Sequence, residues 1–133
     1  MIVGIGTDLV QTKRVHEACS KESFVKRCFT NSEKIIIDRR KDSAAGNFAA
    51  KEAVSKVLGT GFRDFWLTDI EILRDELGKP YVNLYNNASK RAKELGIDVI
   101  HVSIADTKEM AIAYAIGEKT DGVCSDSQRG KIY

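Results

Sequence analysis

The chain has 133 residues, 43% hydrophobic and 30% charged, with a net charge of +2. That suits one soluble globular domain with a proper core, and the charge is too mild for nucleic-acid binding by bulk electrostatics. No apolar run nears the roughly 20 residues of a membrane span, and Met1 leads straight into a strand-like segment without the regions of a signal peptide. Three cysteines, Cys19, Cys28 and Cys124, lack metal-ligand spacing and suit a reducing, cytoplasmic setting.

Residues 2–9 read as a short strand of small and apolar residues ending in Gly6-Thr7-Asp8. Asp8 can project from a sheet edge, or serve as a strand-end turn or cap. Val10 to Phe29 reads as two helical pieces broken near Cys19-Ser20, and it is the most basic part of the chain, with Lys13, Arg14, Lys21, Lys26 and Arg27. A basic helix carrying aromatics such as Phe24 can dock an acidic partner, and a solvated helix shows the same pattern. Thr30-Asn31-Ser32-Glu33 is a capping box that starts a helix to Arg40.

Asp42-Ser43 restarts the chain into a helix whose second half, with the glycine turn after it, is Asn47 to Gly61. At about 100° per residue, Ala49, Ala50, Ala53, Val54, Val57 and Leu58 fall on one half of its surface. Phe48, Lys51, Glu52, Ser55 and Lys56 fall on the other, and Gly59 stands at the C-cap. Phe65 to Leu73 alternates as a strand, 75–80 is a turn holding the only proline, and Tyr81 to Tyr85 returns as its partner. Asn86-Asn87 caps a helix from Ala88 to Leu95, closed by Gly96. Ile97 to Ala105 and Met110 to Gly117 read as a second hairpin. The domain is expected to span 1–119, with 120–133 a poorly ordered polar tail.

Asp8, Glu52 and Lys56 form the candidate constellation. Two carboxylates from different elements suit Mg²⁺, which keeps waters and shares sites with phosphate oxygens. A lysine one turn from Glu52 can neutralise phosphate as a point charge. The Gly59-Thr60-Gly61 turn lets backbone amides approach an anion. The P-loop, G-x-G-x-x-G and zinc motifs are absent. His101 reads equally as a structural or a functional histidine, and no Ser-His triad pattern accompanies it.

These residues match a family pattern. Ile5-Gly6-Thr7-Asp8 with Arg14, Phe48-Ala49-Ala50-Lys51-Glu52-Ala53 with Lys56, and Gly59-Thr60-Gly61 occur in order. Gly78-Lys79-Pro80-Tyr81-Val82, His101-Val102-Ser103-Ile104 and Thr107-Lys108-Glu109 follow them. Together they resemble the holo-[acyl-carrier-protein] synthases, small bacterial phosphopantetheinyl transferases, across roughly residues 1–118. The resemblance implies an α+β fold, the phosphopantetheinyl transferase fold of antiparallel hairpins with packed helices, and a homotrimer with active sites at subunit interfaces. It also implies transfer of 4′-phosphopantetheine from coenzyme A to a serine of acyl carrier protein, for fatty acid biosynthesis.

Carried over position by position, Asp8 and Glu52 would hold Mg²⁺, and Lys56 would contact the coenzyme A diphosphate and stabilise the leaving group. Ser55, Gly59, Thr60, Lys79, Pro80 and His101 would line the coenzyme A site, partly from a neighbouring subunit. Arg14, Phe24 and Arg27 would face the acidic carrier. The serine proton would pass to Glu52 or to a metal-bound water. Asn47 departs from the pattern, standing where relatives often carry arginine. One expected phosphate contact is then missing or supplied elsewhere. Two other readings are a transferase for another carrier domain, such as a polyketide one, and a non-catalytic module binding a nucleotide-like ligand.

Overall fold

The structure, a computed structural model, describes residues 1–61, 63–121 and 130–133. In chain order the elements are β1 (Ile2–Gln11), α1 (Thr12–Cys19), α2 (Glu22–Cys28), α3 (Asn31–Arg39), α4 (Ser43–Leu58), β2 (Ile70–Arg74), β3 (Pro80–Leu84), α5 (Asn86–Glu94), β4 (Val99–Asp106) and β5 (Met110–Glu118). The α+β expectation is borne out: both sheets are antiparallel. One runs β1-β5-β4 and the other is the β2-β3 hairpin.

α4 is the central element. Its Ala49, Ala50, Ala53, Val54 and Leu58 have no exposed surface and pack with Ile70, Ile72, Leu84, Ala113 and Ala115. Burying each of the larger aliphatics contributes roughly 1.5–3 kcal/mol. Alanines let the helix lie close to β1. At Gly6 a Cβ would stand 2.0 Å from the Ala53 carbonyl oxygen, so only glycine permits this approach.

The capping box at Thr30 is present: the Glu33 amide donates to Thr30 Oγ1 and the Thr30 amide to Glu33 Oε1. Three expectations are corrected. Asn86 and Asn87 do not cap α5 but begin it, with Tyr85 at the N-cap and no side-chain cap, and the Asn86 side-chain amide donates to Asp69 Oδ1. Phe65–Leu73 is not one strand, because Leu67–Asp69 is a 3₁₀ turn, held by the Trp66 amide donating to Asp69 Oδ2 at 3.0 Å, and β2 begins only at Ile70. Nor does Lys51 share an open polar face of α4 with Glu52 and Lys56. It is fully buried, 2.5 Å from the equally buried Glu33, and it donates to the Leu67 and Ile70 carbonyls. Its long side chain reaches under α3 and β2, a contact that angular periodicity alone does not reveal.

Of the tail expected to be poorly ordered, 122–129, with Cys124, lies outside the described residues. Its end is seated on β3. The Leu84 amide donates to the Lys131 carbonyl, the Tyr133 amide to the Leu84 carbonyl, and the Tyr133 ring stacks on Tyr85 with centroids 4.8 Å apart. Among the described residues, no helix is long and apolar enough to cross a membrane.

Candidate active site

The β1-β5-β4 sheet has two unlike faces. Gly6 and Asp8 point towards α4, on the side of Ala113 and Ala115. Ile5, Leu9, Tyr114 and Ile116 point the other way and are exposed. Period-two alternation along each strand produces this split.

Asp8 therefore meets the polar edge of α4. Lys56 Nζ donates to the Thr7 carbonyl at 2.7 Å and stands 3.5 Å from Asp8 Oδ1. Asp8 is 19% exposed and Lys56 54%, so the pair opens to solvent from a partly sheltered carboxylate. Burial, and then the neighbouring charge of Asp8, push the Glu52 carboxyl above the usual range, while Lys56 pulls it back. The three residues named from the sequence thus share one site.

Among the described residues no cluster of three or more His, Cys, Asp or Glu side chains forms a metal cage. Two carboxylates are nevertheless what a hydrated Mg²⁺ asks of a protein when substrate phosphates supply other ligands. The mutual repulsion felt at Glu52 is the electrostatic condition that a bound cation relieves. Asp8 and Glu52 fit such an ion.

The remaining expected residues lie at varied places. Ser55 is buried, its hydroxyl donating to the Glu52 carbonyl at 2.6 Å. Gly59 caps α4 with φ 76°, a left-handed conformation suited to glycine, and Thr60 Oγ1 donates to the Gly61 carbonyl. Lys79 and Pro80 sit where the β2–β3 turn enters β3, with the Lys79 amide donating to Asp75 Oδ1. His101 projects from the exposed sheet face, its Nε2 3.0 Å from Glu118 Oε1, on the side away from Asp8. Asn47 faces the interior: its amide nitrogen donates to Glu33 Oε2 and the Ile72 carbonyl, and its oxygen accepts from Arg74.

Arg14 and Phe24 meet at a cleft of about 460 Å³ that also involves Leu9, Val15, Phe48 and Met110. Phe24 lies 6.0 Å from the Phe48 ring, and the Arg27 guanidinium stands 5.9 Å from the Phe24 centroid. Sequence reasoning missed Phe48 as a cleft residue. Its signal was an aromatic on the charged half of α4, where a purely solvated face has no use for one.

A family model described as the 4′-phosphopantetheinyl transferase superfamily matches residues 4–115. A holo-[acyl-carrier-protein] synthase of Lachnoclostridium phytofermentans is 53% identical over 120 residues, covering 89% of this chain and 97% of its own. The fold is similar to that of the Neisseria meningitidis holo-[acyl-carrier-protein] synthase, with a TM-score of 0.80, 34% identity and coverage of 90% and 100% of the two chains. It is also similar to a Bacillus anthracis holo-(acyl-carrier-protein) synthase solved in complex with CoA (3′,5′-ADP). There the TM-score is 0.75, the identity 32% and the coverage 90% and 99%.

Proposed function

The chain belongs to the 4′-phosphopantetheinyl transferase superfamily, among the holo-[acyl-carrier-protein] synthases, and from that premise we propose that it transfers phosphopantetheine from coenzyme A to a serine of apo-acyl carrier protein. The observation that carries the reading is the meeting of Asp8, Glu52 and Lys56 beside the Gly59–Gly61 turn. The serine oxygen attacks the phosphorus next to the pantetheine arm, and the bond from that phosphorus to the bridging diphosphate oxygen breaks. Adenosine 3′,5′-bisphosphate leaves with the electron pair.

Such a displacement needs charge neutralisation and in-line placement more than covalent help. Mg²⁺, when held by Asp8 and Glu52, supplies part of that neutralisation. Lys56, fixed to Thr7, offers its ammonium to the phosphate oxygens. The serine proton passes to Glu52. Ser55, Gly59, Thr60, Lys79, Pro80 and His101 bind coenzyme A. The Arg14–Phe24–Arg27 surface receives the acidic carrier, the arginines meeting its carboxylates and the cleft its apolar side chains.

The working form is a homotrimer with shared sites. Exposed Ile5, Leu9, Tyr114 and Ile116 make an apolar sheet face that a monomer would leave open to water. His101 on that face reaches an Asp8 site only from a neighbouring subunit. The setting is fatty acid synthesis in the cytoplasm. Mixing protein, coenzyme A and Mg²⁺ with apo-carrier should release one adenosine 3′,5′-bisphosphate per coenzyme A consumed, and none without carrier. Release independent of carrier would mean hydrolysis and refute the transfer.

A further inference from the structure

The proposed phosphate turn follows the C-terminus of α4, and that end of a helix is electrostatically the wrong one for an anion. Unpaired carbonyls there amount to about half a negative charge. The Ser55 and Lys56 carbonyls both accept from the Gly59 amide, at 3.2 and 3.1 Å. The Val57 carbonyl faces the β1 backbone at Gly4. The Leu58 carbonyl, last in the helix, accepts from Arg91 Nε at 3.0 Å.

Arg91 comes from α5, and its guanidinium is set by two contacts. Nε holds the Leu58 carbonyl, and Nη1 stands 3.5 Å from Glu94 one turn further on. The side chain is 32% exposed, so it is neither sealed in the core nor free in water. A planar, permanently charged fork bonded to a terminal carbonyl does two things at once. It fixes the peptide that leads into the left-handed Gly59, and it places a positive charge on the helix's negative end.

We propose that Arg91 is a positioning residue for the coenzyme A diphosphate. It acts through the Leu58 carbonyl, making the Gly59–Thr60–Gly61 turn receptive to phosphate. It takes no part in the displacement itself. The inference rests on the coenzyme A reading of this site. It follows that Arg91 governs coenzyme A binding and leaves carrier docking, on α1 and α2, unaffected.

Steady-state kinetics with each substrate varied in turn provide the test. Arg91→Ala should raise KM for coenzyme A about tenfold, leaving KM for the carrier within about twofold of wild type. Arg91→Lys should recover part of the loss, since it keeps the charge but not the planar fork. Calorimetric titration with adenosine 3′,5′-bisphosphate should show the same order of affinity, wild type above Lys above Ala. A merely structural arginine would lower the melting temperature and the active fraction without separating the two KM values. Unchanged KM for coenzyme A in Arg91→Ala, or equal changes for both substrates, would overturn the proposal. If Arg91→Ala does not fold, Arg91→Lys decides: wild-type affinity and KM there would refute the need for the fork. Failure of wild type itself to bind coenzyme A would instead overturn the underlying function.

Discussion

Asp8 and His101 project from opposite faces of one sheet. Asp8 on β1 lies across from Ala113, which lies across from Ile104, all on the α4 side. His101 on β4 lies across from Ile116, which lies across from Ile5, on the exposed side. No rotamer brings the two together through the sheet. If both serve one coenzyme A, two subunits build each site.

Subunit mixing tests that arrangement. Asp8→Ala is expected to abolish turnover and His101→Ala to weaken coenzyme A binding severely. After unfolding and co-refolding of equal amounts, about a quarter of the sites should combine an intact Asp8 with an intact His101. Activity should then exceed the sum of the two separate variants. A mixture no more active than that sum would remove His101 from a shared site.

Glu52→Gln should lose nearly all turnover yet make the protein more stable at neutral pH. The folded-state pKa of Glu52 is raised by burial and by Asp8. Its stabilising contribution is therefore present below the unfolded value, near 4.3, and is lost as pH rises through the folded value. Glutamine keeps the uncharged state throughout, and the gain should be of order 1 kcal/mol or less because water screens the half-open carboxylate. Urea melts at pH 7 and pH 4 should show the gain only at the higher pH.

Lys51→Met is expected to destabilise by roughly 3–5 kcal/mol, since it leaves Glu33 buried and unpaired. Burial pushes Glu33 up and Lys51 down, and their contact opposes both shifts. Adding Glu33→Gln to Lys51→Met should restore much of the loss, which denaturant unfolding will measure. An additive double variant would contradict a coupled pair.

Arg14→Glu reverses a charge at the edge of the Phe24–Phe48 cleft. The expected result is a rise of about tenfold or more in KM for the carrier, steepest at low salt, with KM for coenzyme A little changed. Equal effects on both substrates would remove Arg14 from carrier docking.

Local signals made much of this architecture readable. The Thr30 capping box, the break near Ser20, Gly59 as helix stop and the alternation of β4 and β5 are all short-range features, and each appears in the structure. What escaped depends on distance along the chain. Lys51 falls by periodicity on the same half of α4 as Glu52 and Lys56, yet Glu33, Leu67 and Ile70 close over it. Asn47, a gap in the family pattern, proves to be a core hydrogen-bonding residue beside Arg74. The contacts of 131–133 with Leu84 and of Arg91 with Leu58 join segments far apart in sequence, for which periodicity carries no signal. The candidate site was legible as a proposal, from Glu52 and Lys56 at helical spacing on α4 and Asp8 in the first strand, joined by the ordered family motifs. Its two-faced geometry required the sheet register.

The most direct measurement is the mass of the carrier protein itself. Apo-acyl carrier protein incubated with this protein, coenzyme A and Mg²⁺ should gain one phosphopantetheine, on its acceptor serine. The gain should vanish with chelator, with Asp8→Ala and with Glu52→Ala. A carrier of unchanged mass under these conditions, with the protein folded and coenzyme A bound, would contradict the account at its centre.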